Sequence, residues 1–364
     1  MGTVWAPGRV NLIGEHIDYH GLAVLPMALR RSVQVRFEAR RDRRIRARSI
    51  GFGERAFEWR EKLEPAGAGD WENYLRAAAR VVDGIAPGAN GIDAEIESDI
   101  PPAAGLSSSS ALLVAFTLAL LRANGRECNF EELMRVLPDG EQFVGTRGGG
   151  MDHAASLASR AGCASLIGFV PLSVTPIPLP AEWAFLAAHS LQTAEKSGAA
   201  RGEYNARRAA GTAALERLGI GSYREARPAM AEALADERER DAFLHVTTEA
   251  ARVSAAVEAM RHGDAAEFGR LLVASHASLR DRLRVSSPPL DALVEAAMQA
   301  GALGARLTGA GFGGCAVVFC RREDRPAVRR GLIERFYRGR AGFSAERHLI
   351  DAEPGPGALS RDMT

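Results

Sequence analysis

The chain reads as an α+β fold, and two observations predict it. Residues 32–39 and 92–96 alternate apolar and polar side chains, the period of a strand with one buried face. Long stretches beyond residue 200 instead carry apolar residues at helical spacing. Alternating strands mixed with long helices are the α+β signature.

In the first strand Val33, Val35, Phe37 and Ala39 share one face, with Gln34, Arg36 and Glu38 between them; Ile45 and Ala47 extend the pattern beyond a turn at 41–44. Around residues 71–82 the period becomes helical, and Asp70 is placed to cap that helix. A strand at 92–96 runs into the loop 101–110 and then a helix at 111–121. Being apolar all round, that helix is expected at the centre of the core. Helical pieces at 131–142 and 155–160 flank the glycines 148–150. Four prolines between residues 171 and 180 interrupt regular structure, which puts a domain junction there: one domain at 1–176 and another at 177–364. Helices follow at 203–218, 247–261, 265–284 and 290–300. A glycine-rich turn, 309–314, then joins strands at 305–308 and 315–320.

Composition narrows the function. The sequence has 364 residues, 46% hydrophobic and 25% charged, ordinary for a globular chain of about two domains. Basic and acidic residues nearly cancel, 46 against 45, which argues against a partner recognised through a phosphate backbone: no nucleic acid is expected. The longest apolar run, residues 111–121, is far short of the ~20 needed to span a bilayer, so no membrane is expected either. No secretory signal opens the sequence, and the four cysteines form no CxxC pair, so the cytoplasm is the expected compartment.

Three motifs carry chemistry. The loop 101–110, PPAAGLSSSS, lies between a strand and a helix N-terminus. Free backbone N–H groups there attract anions, and glycine lets backbone approach phosphate closely. Four consecutive serines add hydroxyl donors; the plain alternative is a serine-capped helix. It is not a Walker loop, which needs GxxxxGK[ST], and the protein-kinase set is missing too. The second motif, residues 8–19 (GRVNLIGEHIDY), crowds Arg9, Glu15, His16 and Asp18 together. Such groups are costly to bury unpaired, so they either face a polyhydroxylated ligand or pair among themselves. The third, residues 309–314, is either a flexible hairpin or a support beneath the phosphate loop.

Taken together, these motifs resemble those of galactokinases in the GHMP small-molecule kinase superfamily. GRVNLIGEHIDY fits G-R-x-N-[LIV]-I-G-[DE]-H-x-D-Y at every position, IPPAAGLSSSSA resembles the superfamily's phosphate loop, and LTGAGFGGC its C-terminal glycine motif. The segments at 71–74, 149–152, 203–204 and 286–291 agree, so the likeness runs along nearly the whole chain.

The resemblance implies the two-domain GHMP kinase fold, with an S5-domain-2-like N-terminal domain and a ferredoxin-like C-terminal domain. It implies an ATP-dependent sugar 1-kinase, with D-galactose as the first substrate to expect and N-acetylgalactosamine or another hexose as the alternative. A non-catalytic sugar and ATP sensor is a third reading, which the intact phosphate loop disfavours. By likeness, Gly105, Leu106, Ser107, Ser108, Ser109 and Ser110 hold ATP phosphates, and Trp71 borders the adenine. Ser109 and Glu141 hold Mg²⁺. Asp152 resembles the acidic catalytic residue beside the sugar's anomeric hydroxyl, with Arg9 as its partner. It either accepts the proton or orients the hydroxyl. Glu15, His16, Asp18, Gly149, Asp152 and Tyr204 match sugar-contacting positions. A monomer or weak homodimer is expected. His20 and His153 depart from the commonest family pattern, and both are expected at the surface or behind the residues that touch substrate.

Overall fold

The computed structural model describes residues 1–145, 148–193 and 199–361. In chain order the first half holds strands β1 (Gly2–Ile13), β2 (Leu25–Ala39), β3 (Arg44–Ser49) and β4 (Gly53–Glu58), helix α1 (Glu72–Ile85), strand β5 (Ile92–Ser98), and helices α2 (Ser108–Ala123), α3 (Phe130–Phe143) and α4 (Met151–Ala158). Strands β6 (Cys163–Phe169), β7 (Leu172–Pro178) and β8 (Trp183–His189) follow, then helices α5 (Ala199–Leu218), α6 (Glu237–His262), α7 (Ala265–Asp281) and α8 (Pro288–Gln299). Strands β9 (Gly304–Leu307) and β10 (Cys315–Arg321), helices α9 (Arg325–Leu332) and α10 (Ala345–His348), strand β11 (Leu349–Asp351) and helix α11 (Ala358–Arg361) follow. The mixture is α+β, as the patterns predict.

The sheets are ordered β1-β2-β5-β3-β4 and β11-β8-β10-β9, with β6-β7 a two-stranded ribbon. In the first sheet β2 and β5 pair antiparallel, so the inward faces that the alternation predicts, Val35 and Ile96 among them, lie side by side. The outward face carries charges that answer one another across strands: Arg36 donates to Glu97 at 2.6 Å and Arg46 to Asp93 at 2.9 Å. Helix α2 packs on the inner face against β1, β2 and α1, with ten of its residues from Ala111 to Leu121 buried. Its uniform apolarity means burial on all sides, as expected. The Asp70 carboxylate accepts the Glu72 amide at 2.9 Å and so caps α1.

One expectation about elements is corrected, and the structure adds two strands that the sequence reading did not give. The proline-rich stretch is not an interruption: residues 172–178 form β7, paired with β6 along its length. β7 pairs with β6 alone, and along its other edge a proline's missing N–H breaks no ladder bond. Second, the sequence reading gave no strand at β8. Its side chains alternate between two apolar clusters, Trp183, Phe185 and Ala187 on one side and Ala184, Leu186 and Ala188 on the other. A strand covered on both faces has no polar period to reveal it. Third, the polar signature at residues 8–13 is the end of a long strand, β1.

The unpaired edge of β1 is where the functional loops dock. The Arg9 amide donates to the Leu106 carbonyl at 3.1 Å, and the Asn11 amide to the Thr308 hydroxyl at 3.0 Å. A side chain on Gly8 would put its Cβ 2.6 Å from the Leu106 carbonyl oxygen, so this seam requires glycine.

Candidate active site

Docked along that edge, the three motifs enclose one cavity of about 1230 Å³. This exceeds the ~300–1,000 Å³ of an ordinary single-ligand site and leaves room for two substrates. The glycine motif packs against the phosphate loop. Gly105 lies at φ +77° and Gly309 at φ +84°, and a Cβ on Gly309 would stand 3.0 Å from the Gly105 carbonyl oxygen. The turn at 309–314 joins an antiparallel pair, and it also braces the loop.

Asp152, on the first turn of α4, stands at the centre. Arg9 approaches one carboxylate oxygen: Nε donates to Oδ1 at 2.7 Å, and Nη2 lies 2.7 Å from the same atom. Arg9 Nη1 donates to the Gly105 carbonyl at 2.8 Å, tying the acid to the phosphate loop. The other oxygen, Oδ2, accepts from Ser107 Oγ at 2.6 Å and, more distantly, from Ser110 Oγ at 3.4 Å. The Arg9 side chain is 4% exposed and that of Asp152 14%, so the pair is sheltered but reachable from the cavity.

The serines divide their work. Gly105, Ser107, Ser108 and Ser109 line the cavity. Leu106 is buried, and its carbonyl holds β1. Ser110 is buried and donates to Glu141 Oε1 at 2.6 Å. The capping alternative fails at Ser107, which precedes α2 at φ +58° and makes no side-chain cap bond. Glu141 and Ser109 both face the cavity. Among the described residues no cluster of three or more His, Cys, Asp or Glu side chains is placed to hold a metal alone. One carboxylate with serine hydroxyls is a hard-oxygen set. It fits Mg²⁺, which takes one or two carboxylates and completes its shell from substrate phosphates and water. At the far end of the cavity lies Trp71, its indole donating to the Phe52 carbonyl at 3.2 Å and the Arg55 guanidinium 5.8 Å from its ring centre.

Glu15, His16, Asp18, Gly149 and Tyr204 all border the same cavity, at the Asp152 end. Their polar atoms differ in what they are free to do. Glu15 is drawn inward: it pairs with Arg306 and accepts from Asn11 Nδ2 at 2.8 Å and from the Gly309 amide at 2.8 Å. Burial pushes its carboxyl up, against the pull of Arg306. His16 Nε2 faces the Ala310 carbonyl at 3.1 Å and must carry the hydrogen, so Nδ1 accepts from the Tyr19 hydroxyl at 2.9 Å. Burial, with the nearby His245, lowers its pKa to about 3, so the ring is neutral. Asp18 accepts the Gly149 amide at 3.1 Å, and burial followed by the charge of Asp152 raises its pKa to about 6. Gly149 admits no side chain, since a Cβ there would sit 2.4 Å from the Asp18 carbonyl carbon. The Tyr204 ring closes the side, 5.2 Å from His16 and 5.7 Å from Tyr19.

Of the two places expected for His20 and His153, both take the inner one. His20 packs edge-on against Tyr19 at 4.7 Å with Tyr223 at 4.8 Å, and burial lowers its pKa to about 3. His153 is wholly buried, with Nε2 3.9 Å from Glu141 Oε1. The sequence reading also missed Arg306, whose fully buried side chain donates to the Asn11 and Leu12 carbonyls at 3.2 and 3.1 Å and pairs with Glu15. The available signal was one arginine inside an otherwise apolar strand, GARL.

Comparison with known proteins agrees along the chain. Residues 2–37 match the galactokinase galactose-binding signature, residues 73–160 the GHMP kinases N terminal domain, and residues 256–338 the GHMP kinases C terminal family. A galactokinase of Streptomyces coelicolor is 36% identical, over 98% of this chain and 93% of its own length. One of Chloroflexus aurantiacus is 39% identical, over 86% and 82%. The crystal structure of Lactococcus lactis galactokinase complexed with galactose superposes with a TM-score of 0.89 at 28% identity, covering 98% of this chain and 94% of that one. A mevalonate kinase from L. major shares the fold, with a TM-score of 0.65 at 21% identity.

Proposed function

The chain belongs to the galactokinase family of GHMP kinases, and on that footing we propose that it transfers the γ-phosphoryl group of ATP to the anomeric hydroxyl of D-galactose. It is a phosphotransferase with an alcohol acceptor. The observation that carries the residue roles is the placement of Asp152, fixed by Arg9 and Ser107 where the sugar pocket and the phosphate loop meet.

The sugar lies among Asp18, Gly149, Tyr204 and Asp152, its hydroxyls donating to the carboxylates. Glu15 and His16 frame this pocket from behind, because their polar atoms are engaged by Arg306, Gly309, Ala310 and Tyr19. The triphosphate lies along Gly105 and Ser107–Ser109, and the adenine reaches toward Trp71. In the transfer, the O1–H proton passes to the Asp152 carboxylate and an O1–phosphorus bond forms. The bond from the γ-phosphorus to the β–γ bridging oxygen breaks, and ADP departs with that electron pair. Arg9 keeps the anionic acceptor in place and adds positive charge beside the transferring group. Mg²⁺, held by Glu141 and Ser109, neutralises charge on the phosphates when bound. We also assign the protein to the cytoplasm, a reading its four free thiols support.

The test is ADP release by the purified protein with ATP, Mg²⁺ and a panel of hexoses, beside Asp152→Asn. Turnover is expected with galactose, and the variant, isosteric but no proton acceptor, should lose about 10³-fold in kcat. Full activity in the variant would remove Asp152 from its role. Turnover confined to N-acetylated sugars would move the substrate to N-acetylgalactosamine.

A further inference from the structure

We propose that His153 is a positioning residue for Glu141, its Nε2–H bonding the inner side of that carboxylate when the outer oxygen meets Mg²⁺; this rests on the reading above that Glu141 holds the ion. His153 follows Asp152 on α4 but does not line the cavity. Its side chain is wholly buried, and among the described residues neither ring nitrogen has a hydrogen-bond partner. Buried polar groups are bonded with few exceptions, and each exception calls for a reason. Here Nε2 stands 3.9 Å from Glu141 Oε1, just beyond hydrogen-bond range.

The two oxygens of Glu141 have different surroundings. Oε1 accepts from the buried Ser110 hydroxyl at 2.6 Å, and His153 lies by the same atom. Oε2 lies toward Gly148, which lines the cavity: a Cβ on that glycine would stand 2.9 Å from it. Oε2 is therefore the oxygen a cation in the cavity would meet, and Oε1 the one the protein holds from behind. A carboxylate oxygen accepts more than one hydrogen bond, so Oε1 has capacity for a donor beside Ser110. Donors of this kind, behind the atoms that touch a metal, orient its ligands and raise affinity. The 3.9 Å separation leaves the bond unmade in this arrangement, so forming it favours the ion-bound arrangement alone.

The test reads binding rather than turnover: calorimetry of a non-hydrolysable ATP analogue, with and without Mg²⁺. Wild type should bind the analogue more tightly with the ion. His153→Leu removes the donor at similar bulk. Its affinity for the Mg²⁺-loaded analogue should fall about tenfold or more, with affinity for the metal-free analogue within about threefold of wild type. Its thermal midpoint without ligands should equal or exceed that of wild type, because an apolar side chain replaces an unmatched polar one. His153→Gln keeps an N–H donor and should retain most of the effect of Mg²⁺. An unchanged effect of Mg²⁺ in His153→Leu would overturn the proposal. A lowered midpoint with equal losses for both forms of the analogue would also overturn it, making His153 a packing residue. Glu141→Gln separates the two readings. If it abolishes the effect of Mg²⁺ while His153→Leu does not, only the His153 assignment falls. If it leaves the effect intact, the metal role of Glu141 falls and this proposal with it.

Discussion

Burial holds the Asp18 carboxyl at about 6, against an ordinary value of 3.8. Between those two pH values the folded protein binds the extra proton. Stability therefore declines as pH rises through that window and stays at the lower level above it. The shift of about two units corresponds to roughly 3 kcal/mol against the folded state at pH 8. Under the proposed function, a carboxylate that the fold would hold more easily as an acid offers a sugar an acceptor for hydroxyl protons at neutral pH. Asp18→Asn keeps an oxygen for the Gly149 amide and removes the buried charge. Its thermal midpoint should exceed wild type by several degrees at pH 8, the difference shrinking to about half near pH 5 and vanishing only below about pH 4. Its galactose KM should rise at least about tenfold, the loss expected when a hydrogen bond to a charged group is removed. An unchanged KM in steady-state assays would show that Asp18 does not hold the sugar.

Between elements, the decisive contacts are backbone to backbone. β1 meets the phosphate loop through the Arg9 amide and the Leu106 carbonyl, and Gly8 lets them approach. In Gly8→Ala the new Cβ would lie 2.6 Å from the Leu106 carbonyl oxygen and 3.0 Å from the Ile100 side chain. A carbonyl already bonded to β1 cannot yield without moving the loop that carries Gly105 and the serines. The expected outcome is an ATP KM raised by about tenfold or more, equivalent to ~1.4 kcal/mol of lost binding, with galactose KM changed far less. Coupled ADP-release assays with each substrate varied in turn measure both. Equal rises in the two constants would mean that the strand, not the loop, had shifted.

Across the whole molecule, the N-terminal signature and the C-terminal glycine motif are joined by a buried polar hub. Arg306 on β9 is fully buried and holds Glu15, whose side chain is 2% exposed. His245 on α6 faces the Glu15 carbonyl at 3.0 Å, and Glu249 accepts the Gly14 amide at 3.0 Å. Removing one partner of such a pair leaves the other charged and dry. Arg306→Met should therefore destabilise the protein by about 3–5 kcal/mol, read as a lower urea midpoint. Glu15→Gln/Arg306→Met should recover part of that loss, because the orphaned carboxylate is gone. Absence of any recovery would locate the loss in the two carbonyl bonds of Arg306 instead.

The sequence by itself determined the family, the α+β class, the one-sided strands β2 and β5, the central helix α2 and the stretches that form the site. Each has a local signature: a period set by one dry and one wet face, or a run of residue types whose chemistry needs no distant partner to be recognised. Only the tertiary structure decided which partners the signature residues bond. Asp18, Asp152, Glu15 and His16 all border the cavity, and Glu15 and His16 are also locked to Arg306, Gly309 and Ala310 almost three hundred positions along the chain. It likewise decided that Ser110, rather than Ser109, bonds Glu141, and that β8 is a strand at all. A side chain's free lone pairs depend on which donors the fold brings within about 3 Å, and those donors come from segments whose positions no local pattern encodes.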